Sequence, residues 1–225
     1  MTTTRIVEVR QHVLKKNDAL ARGLRSRFIE AGVCAVSLVS SPGAGKTAML
    51  EKTLVRLSSE ARVAALVGDL ATDRDAARLA ASGVPVRQIT TGTVCHLDAE
   101  MIETALEGWD LPDLDFLFIE NVGNLVCPAS YDVGEHLRAV LLSVTEGEDK
   151  PLKYPTIFNT ADVAVITKVD LAEVVEFDKA EALRNIAAVR PGLPVIEVSS
   201  RRGDGMDAWL EFLRRSRTAQ VSTFA

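Results

Sequence analysis

The sequence predicts an α/β fold, a mostly parallel sheet with helices covering both faces, and three observations carry that expectation. Continuous apolar runs of strand length alternate with helix-period segments, and unbroken rather than alternating runs belong to strands buried on both faces. A glycine-rich segment ending in Lys-Thr separates the first such run from a helical stretch. The 225 residues, 47% apolar and 25% charged, contain no repeat, low-complexity tract or Pro/Gly-rich linker, so one core can be buried. A single domain is expected over residues 1–225.

Val9, Val13, Leu20, Leu24 and Phe28 recur at spacings near three to four and seven, which predicts an amphipathic helix over about 5–31, stopped near Gly32. Strands are expected at 33–39, 63–67, 84–89, 114–119, 137–144, 163–166 and 195–198. Helices are expected over 48–57, 73–81, 97–108, 176–189 and 205–215.

The formal net charge is −5 and no Lys/Arg-rich run is present, which argues against nucleic acid or an anionic membrane as partner. The opening MTTTRIVEVRQHVLKK lacks the apolar core of a signal peptide. Apolar runs fall far short of the roughly 20 residues that span a bilayer. A cytoplasmic location is expected. Three cysteines are too few for a disulfide framework, and a reducing compartment leaves them available as ligands.

Ser40-Ser41-Pro42-Gly43-Ala44-Gly45-Lys46-Thr47 matches the GK[ST] end of the phosphate-binding P-loop, with a strand before it and a helix after it. Its glycines let backbone N–H groups approach phosphate oxygens, and the helix start favours the anion. Ser41 through Ala48 are therefore the expected nucleotide-binding residues, with Lys46 reaching the β- and γ-phosphates and Thr47 on Mg²⁺. Ser40 replaces the first glycine of the pattern. A turn that binds nothing is the alternative, but a lysine beside two glycines at a helix start has no structural benefit. The fold class sharpens accordingly to the three-layer P-loop NTPase.

After the strand at 163–166 comes Thr167-Lys168-Val169-Asp170, similar to the NKxD guanine-recognition motif with Thr167 for Asn. A carboxylate at Asp170 accepts two hydrogen bonds from guanine, whereas adenine presents a mismatched edge, and Lys168 can cover the base with its alkyl stem. Ser199, Ser200 and Arg201 follow the last strand and suit the loop that closes over a base. Glu120-Asn121-Val122-Gly123 resembles the D/E-x-x-G element, whose acid lies near Mg²⁺ and whose glycine contacts the γ-phosphate. Asp69 ends another strand. Asp69 and Glu120 are the expected magnesium-side and catalytic acids, together with Lys46 and Thr47; Asp75 stands behind them. For the acids, a helix cap or a solvated turn is the competing reading.

Cys95-His96 and Cys127 both follow strands, and in a parallel sheet such segments gather at the edge that carries the P-loop. Thiolate and imidazole suit Zn²⁺ or Ni²⁺, and three protein ligands leave an open position. Adjacent Cys and His point apart on a regular strand, so both can bind one ion only from a turn or a helix start. The residues alone leave open whether these are ligands or packing groups. Cys34 is read as a small buried hydrophobe, and His12 and His136 as surface or packing residues.

With these motifs placed, the chain resembles the hydrogenase nickel-incorporation GTPases, the HypB family. SSPGAGKT, GDLATDRDAARL, CHLDA, ENVGNLVCPAS, YDVGEH, DKPLKYP and TKVD occur in that order across 37–200. The resemblance implies Mg²⁺-dependent GTP hydrolysis, nucleotide-favoured homodimerisation, and a nickel or zinc site of Cys95, His96 and Cys127 at the dimer interface. It also implies that Lys153 reaches nucleotide across the dimer. The implied partners are other hydrogenase maturation proteins and the hydrogenase large-subunit precursor. The sequence shows neither a Cys-rich N-terminal nickel motif nor a His-rich tract, so tight nickel storage is not expected.

Four alternatives stay open. A urease-accessory GTPase carries Cys-Pro-His rather than Cys95-His96. A methylmalonyl-CoA mutase chaperone gives no reason for the Cys/His set. A small-molecule kinase is disfavoured by Asp170 and by the lack of an Arg-rich lid. A non-enzymatic metal scaffold would show no turnover. No water-positioning residue can be assigned, so slow intrinsic turnover is expected.

Overall fold

The computed structural model describes the backbone of residues 2–70 and 74–224 and the side chains of 12–70 and 74–220. Among the described residues seven strands form one parallel sheet: β1 (Cys34–Ser40), β2 (Val63–Asp69), β3 (Val86–Thr90), β4 (Phe116–Glu120), β5 (Leu137–Ser143), β6 (Val163–Thr167) and β7 (Val195–Val198), in the order β3-β2-β4-β1-β5-β6-β7. The helices are α1 (Thr2–Ala31), α2 (Lys46–Leu57), α3 (Arg74–Ala80), α4 (Ala99–Ala105), the short α5 (Lys150–Lys153) and α6 (Pro155–Asn159), α7 (Lys179–Val189) and α8 (Met206–Phe224). This is the three-layer P-loop NTPase fold expected from the alternation.

Burial explains the layers. On one face Val36 and Leu38 of β1 pack with Met49, Leu50 and Leu54 of α2, Leu79 of α3 and Trp209 and Leu213 of α8. The other face is covered in two halves. Leu24 and Phe28 of α1 and Ile102 of α4 lie over Leu66, Leu117 and Ile119, while Phe158 of α6 and Ile186 of α7 lie over Val140, Leu142 and Ile166. Each such buried side chain contributes about 1.5–3 kcal/mol. Trp209 satisfies its one polar atom by donating to Thr53 Oγ1 at 3.0 Å. Leu20, Leu24 and Phe28 form the α1 stripe against the sheet as the periodicity requires, whereas Val13 is 48% exposed and leaves it. The side chain of Val9 and the first residue of the helix expected over 73–81 lie outside the described residues.

Boundaries move for identifiable reasons. The strand expected from 84 starts at Val86, because Pro85 offers only its carbonyl, which accepts from Ala65 N at 3.0 Å. The helix expected over 97–108 contracts to α4, because Asp98 caps it by accepting from Met101 N at 2.9 Å. The helix expected from 176 starts at Lys179: Glu176 has φ 54°, outside helical space, and Asp178 caps by accepting from Glu181 N. The final helix continues past 215 to Phe224.

Parallel strands place every following loop at one edge. The ends of β1, β2, β4 and β6 therefore deliver Ser40, Asp69, Glu120 and Thr167 to the same edge, and the loop after β3 brings Cys95 and His96 there.

Candidate nucleotide and metal site

The loop after β1 is shaped by its glycines. Gly43 and Gly45 have φ of 74° and 95°, a conformation that side-chain-bearing residues rarely adopt, and Gly45 leads directly into α2 without a side-chain cap. The first N–H groups of α2 thus lack a side-chain acceptor at a site where the helix dipole favours an anion. Lys46 is buried, donates to Ser40 Oγ at 2.9 Å, and has its pKa lowered by desolvation. Ser40, in place of the usual glycine, is thus the oxygen on which the lysine rests.

Thr47 donates to Glu120 Oε1 at 2.7 Å, so hydroxyl and carboxylate already stand where they can share one cation. Burial pushes Glu120 up to about 7, opposed by the Lys46 charge and the Thr47 bond, and its Oε2 is buried with no hydrogen-bond partner. An orphaned carboxylate oxygen beside a threonine hydroxyl fits a hard divalent cation such as Mg²⁺. Asp69 and Asp75 line the same cleft, of about 400 Å³, which runs from Pro42 through Ala48 and is closed by Glu120–Gly123. Asp69 Oδ1 also accepts from Leu70 N at 2.6 Å. Gly123 comes so close to the loop that an added Cβ would lie 2.9 Å from Pro42 Cα. Arg78 lines the cleft too and pairs with Glu51 at 2.6 Å.

The base-side residues meet behind the loop. Thr167 donates to Ala44 O at 2.6 Å and Lys168, with φ 58°, donates to Gly43 O at 2.7 Å, so both hold the P-loop itself. Ser199 donates to Asp170 Oδ1 at 2.6 Å, and this bond lowers the Asp170 pKa and keeps it a carboxylate acceptor. Ser200 and Arg201 follow in the turn that Ser199 begins by accepting from Gly203 N at 2.7 Å. Lys153 is exposed and pairs with Asp149 at 2.5 Å. Of the two lysines in DKPLKYP, the one that reaches the P-loop of its own chain is Lys150, whose Nζ lies 3.4 Å from Ser41 Oγ and which also pairs with Glu146.

Cys95, His96 and Cys127 converge: one ligand atom from each lies within 4.8 Å of the others, and the two sulfurs are 2.8 Å apart. Cys95 and His96 sit in an irregular bend, and Cys127 opens a 3₁₀ turn over Cys127–Ser130, so adjacent residues can face one point. His96 packs against Tyr131 with ring centroids 3.9 Å apart and planes tilted by 33°, its Nδ1 is buried without a partner, and desolvation lowers its pKa, which favours the neutral ligating form. Cys34 differs sharply: burial pushes its thiol up to about 12, the behaviour of a packing residue. His136 packs beside Phe28 and its Nδ1 accepts from Ala35 N at 3.3 Å, and His12 is exposed.

The two centres are joined by asparagines that motif reading passed over. Asn121, next to Glu120, is buried, and its Oδ1 accepts from Leu97 N at 3.0 Å and Val122 N at 2.9 Å. Asn124 donates to Cys95 O at 3.2 Å and accepts from Val126 N. The residues between Glu120 and Cys127 are thereby fastened to the Cys95–Leu97 bend.

Comparison with known proteins bears on this arrangement. The CobW/HypB/UreG nucleotide-binding domain family model matches residues 34–197. The hydrogenase maturation factor HypB of Azotobacter chroococcum mcd 1 is 46% identical over 221 residues, 98% of this chain and 72% of the relative. That of Escherichia coli (strain K12) is 47% identical over 219 residues, 97% of this chain and 76% of the relative. A crystal structure of HypB from Helicobacter pylori in complex with nickel aligns with TM-score 0.86 at 42% identity, covering 92% of this chain and 97% of that one.

Proposed function

The chain belongs to the CobW/HypB/UreG family, and within it to the hydrogenase maturation factors named HypB, and from that premise we propose that it is a GTP-hydrolysing metallochaperone that delivers nickel to hydrogenase. The observation that carries the reading is one of continuity. The segment that begins at Glu120 in the phosphate cleft ends at Cys127 in the thiolate–imidazole cluster.

In this reading Ser41–Ala48 cradle the phosphates, and Lys46 leaves Ser40 Oγ to meet the β- and γ-phosphates. Mg²⁺ would supply neutralisation of the charge that develops on the phosphates. Thr47 and Glu120 hold it, with Asp69 and Asp75 on the same side. Gly123 approaches the γ-phosphate, Thr167 and Lys168 fix the loop beneath the nucleotide, and Asp170 reads guanine while Ser199, Ser200 and Arg201 close over it. Cys95, His96 and Cys127 hold Ni²⁺, the cargo, or Zn²⁺, which suits the same donors. Three ligands leave a position open, as transfer to a recipient requires.

The remaining parts of the proposal follow from the family. The 225 residues act as one GTPase domain, GTP favours a homodimer in which Lys153 reaches the partner's nucleotide, and other maturation proteins and the hydrogenase large-subunit precursor receive the metal. The setting is the cytoplasm; among the described residues no helix is long and apolar enough to cross a membrane.

The base assignment has a direct test. Replacing Asp170 with Asn should weaken GTP binding by about 1–3 kcal/mol, roughly 5–150-fold, because the bidentate charged contact is lost. Xanthosine triphosphate, whose base offers an acceptor where guanine has a donor, should bind the variant better than GTP. Equal loss for GTP, XTP and ATP would instead show that Asp170 only supports the loop.

A further inference from the structure

The Cys95–His96 bend and the Cys127 turn are held to the nucleotide side by Asn121 and Asn124, but they are held together on the far side by one residue of the N-terminal helix. Asn17 is a buried polar residue, 5% exposed, on α1. Its Oδ1 accepts from Ala99 N at 2.9 Å, and its Nδ2 donates to Asp132 O at 2.9 Å. Ala99 is the first residue of α4, a few residues beyond His96. Asp132 directly follows Tyr131, whose ring lies against His96. A single amide thus ties the trailing end of each ligand-bearing segment to the same helix.

We propose that Asn17 is a positioning residue that sets the distance between the Cys95–His96 and Cys127 halves of the metal site. The proposal rests on the metal reading above and adds a part of the chain with no place in the phosphate or base machinery. The chemistry requires an amide. An amide presents a donor and an acceptor on one short planar group, so aspartate keeps the Ala99 bond and loses the Asp132 bond, while leucine keeps the branched shape and loses both. Asp132 is itself fixed, since its carboxylate receives Arg25 at 2.6 and 2.8 Å and Gly134 N at 2.8 Å. Asn17 therefore anchors the bend to a rigid point. Asn121 adjoins Glu120 and lines the phosphate cleft, whereas Asn17 lies outside it. The first can transmit a nucleotide signal; the second supplies the fixed side against which that signal acts.

The test uses the full chain and Ni²⁺ alone, with native protein, Asn17→Leu, Asn17→Asp and Cys127→Ala. Affinity is read by competition with a chelator, geometry by thiolate-to-nickel charge-transfer absorption, and the nucleotide site by GDP affinity. Outer partners of metal ligands are worth about 10–100-fold in affinity, and Asn17→Leu is expected to lose that much nickel affinity, with a shifted charge-transfer band and unchanged GDP affinity. Asn17→Asp should lie between it and the native protein. Native nickel affinity and an unshifted band in Asn17→Leu, with binding lost in Cys127→Ala, would overturn the role of Asn17 and leave the metal site standing. Native binding in Cys127→Ala as well would remove the metal reading itself. Parallel loss of nickel and GDP affinity in Asn17→Leu would mark general damage and also overturn the positioning role.

Discussion

Replacing Cys127 with alanine is expected to weaken Ni²⁺ binding by about 10²-fold or more, beyond the 10–100-fold that losing an outer partner of a ligand costs. Cys95, His96 and Cys127 are the one cluster of three such ligand atoms among the described residues, and the variant leaves it two. Metal binding should also lose its thiolate-to-nickel absorption in proportion, and release fewer protons, because a thiol must ionise to ligate. The fold should survive. Cys127 opens a partly exposed turn rather than filling the core, whereas Cys34 packs against α2 and the sheet. Cys34→Ala should therefore give the reverse pattern, a lower melting temperature with native nickel affinity. Titration of both variants, followed by thermal unfolding, separates ligand from packing residue. Unchanged nickel affinity in Cys127→Ala would remove the site.

The second large effect is expected at Lys46. Lys46→Met should reduce GTP turnover by about 10²–10³-fold, the scale of removing one group aimed at developing charge. Stability should move the other way. Lys46 is buried, desolvation lowers its pKa, and in the nucleotide-free protein its ammonium is held by the Ser40 hydroxyl and the neighbouring Glu120 charge. Methionine fills similar volume without a buried charge, so the melting temperature of the nucleotide-free variant should match or exceed that of the native protein. Turnover at saturating GTP and a melting curve check both halves. A variant that loses stability and activity together would show that Lys46 serves the fold first.

How far the sequence reaches can be read from these same residues. The P-loop and the TKVD segment are short patterns whose residue types have few structural uses, whereas Cys95, His96 and Cys127, which the residues alone left between ligand and packing, were singled out by the family resemblance and by parallel strands collecting their loops at one edge. The sheet was legible because continuous apolar runs leave little choice of environment. Local chemistry was less visible. Asn17, Asn121 and Asn124 are ordinary in sequence, and their importance lies in contacts between the α1 helix and loops far along the chain. Lys150 escaped notice because DKPLKYP offers two lysines, and only the turn of α5 decides which faces Ser41. Element ends shifted where a single side chain intervened, as at Pro85, Asp98 and Glu176.

Thr167 illustrates a departure whose consequence needed coordinates. Standing where the motif has Asn, it donates its hydroxyl to Ala44 O and, with Lys168 on Gly43 O, secures the phosphate loop. Thr167 and Lys168 therefore shape the phosphate loop, and the proposed guanine recognition would be tied through them to the geometry around Lys46 and Thr47.

The central claim is that nucleotide state controls the metal site through the segment from Glu120 to Cys127. Its most direct measurement is Ni²⁺ affinity, with oligomeric state recorded in parallel, in the presence of Mg²⁺ and either GDP or a non-hydrolysable GTP analogue. Affinity and dimer fraction are expected to differ between the two nucleotides, and the difference in affinity is expected to disappear in Cys127→Ala. Identical nickel affinity and oligomeric state with both nucleotides would contradict it, leaving a nucleotide site and a metal site that share one sheet edge without coupling.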